Sequence, residues 1–361
     1  MNETQKQVND VINGLQNFCL LLGDSSQVLA ELPDNFVDCV ITSPPYWQQR
    51  EYEVGNNGHM VIGNEDLPQK YVENLAGVFA QVLRVLKPEG SLWLNLGDKY
   101  VNKNLMGMPW RVAIALQDEG WILRDDVIWE KMKGSQPVTD RLRSSYEHFF
   151  HFAKSRTYFF SADDILQQHR LKPKISENST ISATGVSGRK YRNQILTSTE
   201  LTDSEKKAAL KALDDVVDEI RKGEVVDFRM TIRGVQRTYH SNHNSVSGRA
   251  KELEQKGFFF LKSKAKGYMP SDIWRIAPED DVKGRSEAHY AVFPPELLEI
   301  PIKATCPVGG IILDPFVGVG SAIVAALNMG RRGIGIDVSK EYLKLAEERI
   351  EVQASKQLHL L

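Results

Sequence analysis

Cysteine is scarce in this sequence, with Cys19, Cys39 and Cys306 the three in 361 residues. They lie far apart and form no Cys-x-x-Cys pair, which argues against a disulfide framework and against a structural zinc site. The sequence also lacks a signal peptide and any apolar run long enough to cross a bilayer. We therefore expect a cytoplasmic protein without a metal site and without a membrane partner.

Acidic residues are absent from one long stretch, residues 228–251. The formal net charge of the chain is −2, yet residues 165–264 hold 19 Lys and Arg against 12 Asp and Glu, a balance of +7. The basic side chains of the acid-free stretch are Arg229, Arg233, Arg237, Arg249 and Lys251. Such a block in a mildly acidic protein indicates a module that binds a polyanion, and a solvated loop region is the alternative.

Predicted strands, such as 18–22 and 36–41, alternate with predicted helices on both sides of the basic region. The alternation indicates an α/β fold with a doubly wound, mostly parallel sheet. We assign its two halves to residues 1–160 and 266–361, and a separately built insert to 161–265. The insert is polar and weakly periodic except for one helix, which opens with a capping box at Thr202 and Glu205. We expect this helix to bury Leu210, Leu213, Val217 and Ile220.

The motif Ser43-Pro44-Pro45-Tyr46 follows directly after the apolar strand 36–41. Because the two prolines fix φ and donate no hydrogen bonds, they predict a rigid ledge at the carboxyl end of the strand, where open α/β sheets bind ligands. The Ser43 hydroxyl and the Pro44 carbonyl can accept hydrogen bonds beside the flat Tyr46 ring. The ledge therefore suits the exocyclic amino group of a planar base, and a strand that ends in a half-buried loop is the alternative.

A second motif, Asp314-Pro-Phe316-x-Gly318-x-Gly320, lies between a predicted strand and a predicted helix. The next strand ends at Asp337, 17 residues after Gly320. Glycines at such a turn let a ligand approach the backbone, and an acid at the end of the second strand can accept from both ribose hydroxyls. The third glycine of the dinucleotide fingerprint is missing, which favours a nucleoside without a pyrophosphate.

The two motifs together resemble a known family, the amino-methylating DNA methyltransferases of the β order, which use S-adenosylmethionine. The resemblance covers residues 18–160 and 268–350. The first motif is similar to the signature of the cytosine-N4 branch, whereas the adenine-N6 branch more often has Asp at the position of Ser43. The second motif is similar to the family's cofactor motif, with Ser321 where Thr is usual and Val319 where Ser is common. In this order of motifs the target-recognition domain falls at 161–265.

The resemblance implies further site residues. Phe293, beside His289 and Pro294, matches a Phe that packs on the methionine part of the cofactor, and Asp24 resembles the acid that contacts its adenine. The set implied to bind S-adenosylmethionine is Asp24, His289, Phe293, Pro294, Asp314, Phe316, Gly318, Gly320 and Asp337. Lys131, Arg141 and Glu147 fit the pattern of the target-base half. The residues we expect to contact DNA are Lys131, Arg141, Arg229, Arg233, Arg237 and Arg249.

The implied function is methylation of cytosine N4 in duplex DNA, with the target base extruded from the helix. Ser43, Pro44, Pro45 and Tyr46 would then form the catalytic ledge. The chain has no Pro-Cys pair, which argues against carbon-5 methylation. A cationic methyl donor leaves little need for a strong base, so we interpret Asp98 and Glu147 as structural or polar contacts.

The partners expected of such an enzyme are double-stranded DNA and a cognate restriction endonuclease, with the enzyme a monomer or a homodimer. Its source would be a bacterium, an archaeon or a phage. Three other functions compete with this interpretation: methylation of adenine N6, methylation of protein glutamine, and DNA binding without catalysis. The glutamine enzymes usually begin their Pro-Pro-Tyr motif with Asn and place it after the cofactor motif, and this sequence does neither.

Overall fold

The computed structural model describes residues 2–49, 62–132, 138–176, 179–235, 248–278 and 293–358. The chain divides into two compact units, one of Met1–Asp164 with Ser271–Leu361 and one of Ile165–Pro270. The predicted insert at 161–265 overlaps the second unit, and its role in target recognition stays a prediction. No helix among the described residues is both long and apolar enough to cross a membrane.

The helices and strands are numbered here in chain order. The helices are α1 (Glu3–Ile12), α2 (Ser25–Ala30), α3 (Pro68–Val85), α4 (Met108–Asp118), α5 (Gly188–Thr197), α6 (Asp203–Arg221), α7 (Gly248–Lys256), α8 (Pro295–Thr305), α9 (Ser321–Asn328) and α10 (Lys340–Leu358). The strands are β1 (Phe18–Leu22), β2 (Val37–Thr42), β3 (Leu86–Leu96), β4 (Tyr100–Val101), β5 (Asn104–Leu105), β6 (Ile122–Lys131), β7 (Tyr146–Ala153), β8 (Lys174–Ser176), β9 (Ser179–Ile181), β10 (Val225–Ile232), β11 (Phe258–Lys264), β12 (Ile273–Ile276), β13 (Ile311–Asp314) and β14 (Arg332–Asp337).

One eight-stranded sheet forms the centre of the first unit, in the order β1-β14-β13-β2-β3-β7-β6-β12. Strand β7 runs antiparallel to β3 and β6, and the other neighbouring strands pair in parallel. The predicted α/β fold with a mostly parallel sheet is confirmed. Strand β2 lies next to β13, so the ends of the two motif strands meet at one edge of the sheet although they are far apart in the chain.

Apolar layers cover both faces of this sheet. Helices α1 to α4 pack against one face, where Val40 and Leu92 lie in the core, and α8 and α9 pack against the other, where Cys39 and Ile41 do. Because successive side chains of a strand point to opposite faces, β2 is buried along its whole length. A strand held in this way provides a fixed base for the ledge that follows it.

The second unit contains more regular structure than the sequence predicts. Beyond the expected helix α6, it has helices α5 and α7 and an antiparallel pair of strands, β10 and β11. In β10, Phe228, Met230 and Ile232 are buried and alternate with polar residues, but a register shift between Val225 and Asp227 interrupts the alternation. The apolar pattern is therefore short, and a strand with so few alternating positions is hard to recognise in a polar segment.

The buried face of α6 differs by one position from the prediction. The capping box of Thr202 and Glu205 is present, and Leu213 and Ile220 are buried as expected. The face is completed by Ala209 and Val216, whereas Leu210 and Val217 are only half-buried. Apolar residues stand next to each other at both places, so periodicity alone could not determine which of each pair faces the core.

Replacing Leu213 with Ala should destabilise the second unit by about 2–5 kcal/mol, because the side chain is fully buried and its removal leaves a cavity. The matched control is Leu196→Ala on α5, where the leucine is 55% exposed and the expected change is within about 0.5 kcal/mol. Chemical denaturation followed by circular dichroism measures both. Equal effects of the two substitutions would contradict the buried face described for α6.

Candidate active site

The motif Ser43-Pro44-Pro45-Tyr46 begins where β2 ends, at the carboxyl edge of the sheet. Neighbouring elements hold it in place: the Tyr71 hydroxyl on α3 donates to the Pro45 carbonyl at 2.9 Å. The next residue, Trp47, is buried, and its indole N–H donates to the Glu65 carbonyl at 2.7 Å. The predicted ledge is thus tied to α3 and to the segment just before it, with Ser43 and Tyr46 half-buried at its surface.

The ring of Tyr46 lies directly against the backbone of Gly97, just beyond the end of β3. A Cβ atom at Gly97 would stand 2.6 Å from Cε2 and 3.0 Å from Cδ2 of that ring. Only glycine leaves the ring this space, since real Cβ atoms essentially never come so close to another heavy atom. The plane of Tyr46 is therefore set by the fold before any ligand arrives.

The hydroxyl of Tyr46 lies among three polar side chains. It donates to Glu147 Oε2 at 2.8 Å, and it accepts from Asn95 Nδ2 at 2.7 Å and from Ser43 Oγ at 3.3 Å. On its far side, the Glu147 carboxylate contacts the ammonium group of Lys131. Burial, followed by the charge of Glu147, raises the pKa of Tyr46 well above its usual value, so the phenol is neutral.

Asp314, at the end of β13, joins the second motif to the first. Its Oδ1 accepts from the Thr42 hydroxyl at 2.7 Å and from the Phe316 backbone N–H at 3.1 Å. The side chain is 3% exposed, and burial raises the pKa of this carboxyl to about 7. The position of Asp314 therefore explains how the turn and the end of β2 are held together, while its predicted contact with the cofactor stays a prediction.

The glycine turn and Asp337 form a cradle next to this link. The Gly318 N–H donates to Asp337 Oδ2 at 2.9 Å, and the Ser339 N–H donates to Oδ1 at 2.8 Å. Both motif glycines have positive φ, +47° at Gly318 and +80° at Gly320. A Cβ at Gly320 would stand 2.9 Å from Ala346, whereas one at Gly318 would meet only open space. An acceptor beside open backbone suits a ribose, and burial raises the pKa of Asp337 above its usual value.

The remaining predicted cofactor residues lie in different surroundings. Asp24 caps α2, accepting from the N–H groups of Ser26 and Gln27 at 3.0 and 3.2 Å, and it follows β1 beside β14 at the same edge of the sheet. Phe293 is 8% exposed and packs with Phe149, ring centroids 5.9 Å apart, and Pro294 caps α8. Phe316 is half-buried. His289 lies outside the described residues.

Two predicted DNA contacts belong to the first unit. Lys131 pairs with Glu147, the carboxylate that accepts from the Tyr46 hydroxyl. The Lys131 side chain remains 30% exposed. Arg141 stacks over the Tyr100 ring, with 3.9 Å between Cζ and the ring centroid. Both side chains thus have partners within the first unit, and their contact with DNA stays a prediction.

The other predicted DNA contacts belong to the second unit. Arg229 on β10 and Arg249 on α7 are exposed, whereas Arg237 lies outside the described residues. Arg233 also has partners within its own unit, because its guanidinium donates to the Glu205 carboxylate at 2.8 Å and to the Glu200 carbonyl at 2.8 Å. These bonds stabilise the start of α6, and the contact of Arg233 with DNA stays a prediction.

Sequence reasoning gave no role to Asn95 or Gly97, whereas it assigned Glu147 to the target-base half and interpreted it as a structural or polar contact. A signal for the first two was present: Asn95 lies at the carboxyl end of a buried strand and Gly97 directly follows it, at the kind of position that Ser43 occupies after its own strand. Among the described residues, no group of three or more His, Cys, Asp or Glu side chains could hold a metal ion.

Comparison with known proteins identifies the family. Residues 37–348 match the DNA methylase family of N6/N4 methyltransferases. This chain belongs to that family. As predicted, it is a methyltransferase that acts on DNA with S-adenosylmethionine as the cofactor, and the cradle at Asp337 suits the ribose of that molecule.

Two relatives and one solved structure each match nearly the whole chain. The type II methyltransferase M.SfiI of Streptomyces fimbriatus is 29% identical over 91% of this chain and 89% of its own. M.XycI of Xanthomonas campestris pv. cyanopsidis is 27% identical over 96% of this chain and 92% of its own. The PvuII DNA methyltransferase (cytosine-N4-specific) is similar in fold, with a TM-score of 0.54 and 17% identity over 95% of this chain and 93% of its own.

Replacing Gly97 with Ala should destabilise the methylase by about 1–3 kcal/mol, because the new methyl group would overlap the Tyr46 ring. Gly77→Ala is the matched control: this glycine lies inside α3 with nothing within 4 Å of a Cβ, so alanine should stabilise by about 0.4–1 kcal/mol. Thermal and chemical denaturation measure both. A Gly97→Ala variant as stable as the wild type would show that the ring is free to move.

The buried carboxyl of Asp314 should make stability depend on pH. Because its pKa is raised from 3.8 to about 7 by burial, the folded state holds a proton that the unfolded state has lost, and stability falls as pH rises through this range. Asp314→Asn keeps an acceptor for Thr42 but cannot ionise. Between pH 5 and pH 8, wild type should lose on the order of 2 kcal/mol relative to this variant in urea denaturation. A difference that does not change with pH would contradict the account.

Proposed function

We propose that this methylase transfers the methyl group of S-adenosylmethionine to the exocyclic N4 amino group of cytosine at a specific site in duplex DNA. One observation carries the proposal. A hydrogen-bond acceptor, Ser43 Oγ, lies beside the Tyr46 ring, and the ring's orientation is fixed by its contact with Gly97. A base in a duplex cannot reach such a site, so the target cytosine must be extruded, and stacking on Tyr46 offsets part of the unstacking cost.

The ledge prepares the amino nitrogen for attack. In free cytosine the lone pair of this nitrogen is delocalised into the ring, which makes it a poor nucleophile. Hydrogen bonds accepted by Ser43 Oγ and the Pro44 carbonyl draw the nitrogen toward tetrahedral geometry and expose the lone pair. Bound here, S-adenosylmethionine would supply an electrophilic methyl group on a sulfonium, with S-adenosylhomocysteine as the leaving group and one proton of the amino nitrogen lost to solvent. Asp337 would hold its ribose, Asp24 its adenine and Phe293 its methionine part.

Ser43 is the residue that favours cytosine N4 over adenine N6. The resemblance associates Ser at this position with the cytosine branch, and a neutral hydroxyl accepts one hydrogen bond without adding charge to the pocket. The family contains both activities, so adenine N6 is the second candidate.

For DNA, we propose that the second unit reads the target sequence. Its exposed Arg229 and Arg249 would contact phosphates or guanine edges. The named relatives are type II methyltransferases, and by extension we propose that a restriction endonuclease reads the same site in the source organism.

The test is methylation of unmodified genomic DNA by the purified enzyme, followed by digestion to nucleosides and mass spectrometry. We expect N4-methylcytosine, and we expect Ser43→Ala to form it about 10- to 100-fold more slowly because one hydrogen bond to the amino group is lost. Ser204→Ala, at an exposed position of α6, is the matched control and should leave the rate unchanged.

Two other products would overturn parts of the proposal. N6-methyladenine would keep the fold and the ledge but contradict the assignment of cytosine. The absence of any methylated base, with S-adenosylmethionine bound, would contradict catalysis on DNA altogether.

A further inference from the structure

Three polar atoms meet behind Ser43. Tyr46 Oη, Glu147 Oε2 and Asn95 Nδ2 stand 2.7 to 2.8 Å from one another, on residues from the ledge, β7 and β3. Asn95 is 1% exposed, and the Glu147 side chain is 12% exposed and paired with Lys131. Their protons cannot be arranged freely, because each atom limits what its neighbours can do.

Counting donors and acceptors determines the direction of every bond in this group. The amide nitrogen of Asn95 can only donate, and the Glu147 carboxylate, which pairs with the Lys131 ammonium group, can only accept. The single proton of Tyr46 therefore goes to Glu147, at 2.8 Å, and the Tyr46 oxygen is left to accept. Ser43, 3.3 Å from that oxygen, must then donate to it. With its proton directed at Tyr46, Ser43 Oγ presents only lone pairs to the substrate.

The orientation of the Asn95 amide leaves its oxygen without a hydrogen bond among the described residues, and this supports the arrangement. That oxygen, Oδ1, is buried and has no hydrogen-bond partner in the part of the chain that the structure describes. Exchanging the oxygen and nitrogen of the amide would place that oxygen 2.7 Å from the Glu147 carboxylate, where two acceptors would repel. Buried polar atoms are rarely left unpaired, so the orphaned oxygen indicates that the nitrogen is required at Tyr46 and Glu147.

We propose that Glu147 and Asn95 are positioning residues that make Ser43 an obligate acceptor, so that the site selects a base with an exocyclic amino group and rejects one with a carbonyl there. This inference rests on the proposed function. Uracil differs from cytosine in having oxygen in place of the amino group at carbon 4. In this site its oxygen would face the lone pairs of Ser43, and neither acceptor could be satisfied.

Glu147→Gln tests the proposal because Lys131 should retain the glutamine oxygen as its partner, which leaves the amide nitrogen to donate to Tyr46. The Asn95 amide can then turn its oxygen to that nitrogen. The Tyr46 proton could then turn to Ser43, and the Ser43 proton could turn to the substrate. The variant should therefore tolerate a carbonyl that the wild type rejects. A purely structural role for Glu147 would weaken binding of both bases equally and leave their ratio unchanged.

The measurement uses two duplexes that carry the methylated sequence, mapped beforehand by sequencing the methylated genomic DNA, with cytosine or uracil as the target base. An abasic site opposite the target removes the difference in base pairing. Fluorescence anisotropy with S-adenosylhomocysteine present gives both dissociation constants without turnover. Wild type should bind the cytosine duplex roughly 10- to 100-fold more tightly, and Glu147→Gln should reduce the ratio to within about threefold.

Two further variants complete the design. Glu130→Gln, on β6, removes a carboxylate that pairs with Arg275 at an exposed position and should keep the wild-type ratio. Tyr46→Phe keeps the ring but removes the hydroxyl that orients Ser43, so it should reduce the ratio as Glu147→Gln does. If Glu147→Gln does not fold, Tyr46→Phe decides the question.

A folded Glu147→Gln or Tyr46→Phe variant that retains the wild-type ratio would overturn the inference. So would a wild-type enzyme that methylates DNA yet binds both duplexes equally, and in that case the proposed function would survive. An enzyme that methylates no DNA would instead remove the proposed function on which the inference rests. If the methylated base is adenine, the same test applies with adenine and hypoxanthine.

Discussion

A buried hydrogen bond of 2.7 Å, from the Thr42 hydroxyl to the Asp314 carboxyl, joins the ends of β2 and β13. These residues are far apart in the chain, and only the parallel pairing of the two strands brings them together. The ledge begins one residue after Thr42, and the glycine turn begins one residue after Asp314. The relative position of base and cofactor therefore depends on this pairing, because each site is a short, rigid extension of its strand.

Residues at the same edge of the sheet also hold the ledge in its binding orientation before the substrate arrives. Gly97 fixes the plane of the Tyr46 ring, and Asn95 and Glu147 fix its hydroxyl. Groups held in place by the fold need no reorganisation when the reaction occurs, which is the physical source of much enzymatic rate enhancement. Stability is given up for this order, as the unpaired Asn95 oxygen and the buried Asp314 carboxyl illustrate.

Local patterns were sufficient to predict strands of the first unit and both motifs, but not the strands of the second unit. Strand β1 has the predicted bounds, and β14 ends at Asp337 as expected, since a short apolar run with a polar end is a local signal. The partners of the Tyr46 hydroxyl could not be predicted, because Asn95, Lys131 and Glu147 come from three strands whose order in the sheet leaves no trace in periodicity. The predicted buried face of α6 was wrong at two positions for a related reason. Apolar residues stand next to each other there, and tertiary packing determines which of each pair is buried.

The most direct test of the central claim is a crystal structure of the enzyme with S-adenosylmethionine. The account predicts that the ribose hydroxyls bond to Asp337 and that the methyl group faces Ser43 and Tyr46. A cofactor that bound away from Asp337, or whose methyl group pointed away from Tyr46, would contradict the claim that the two motif strands bring base and cofactor together.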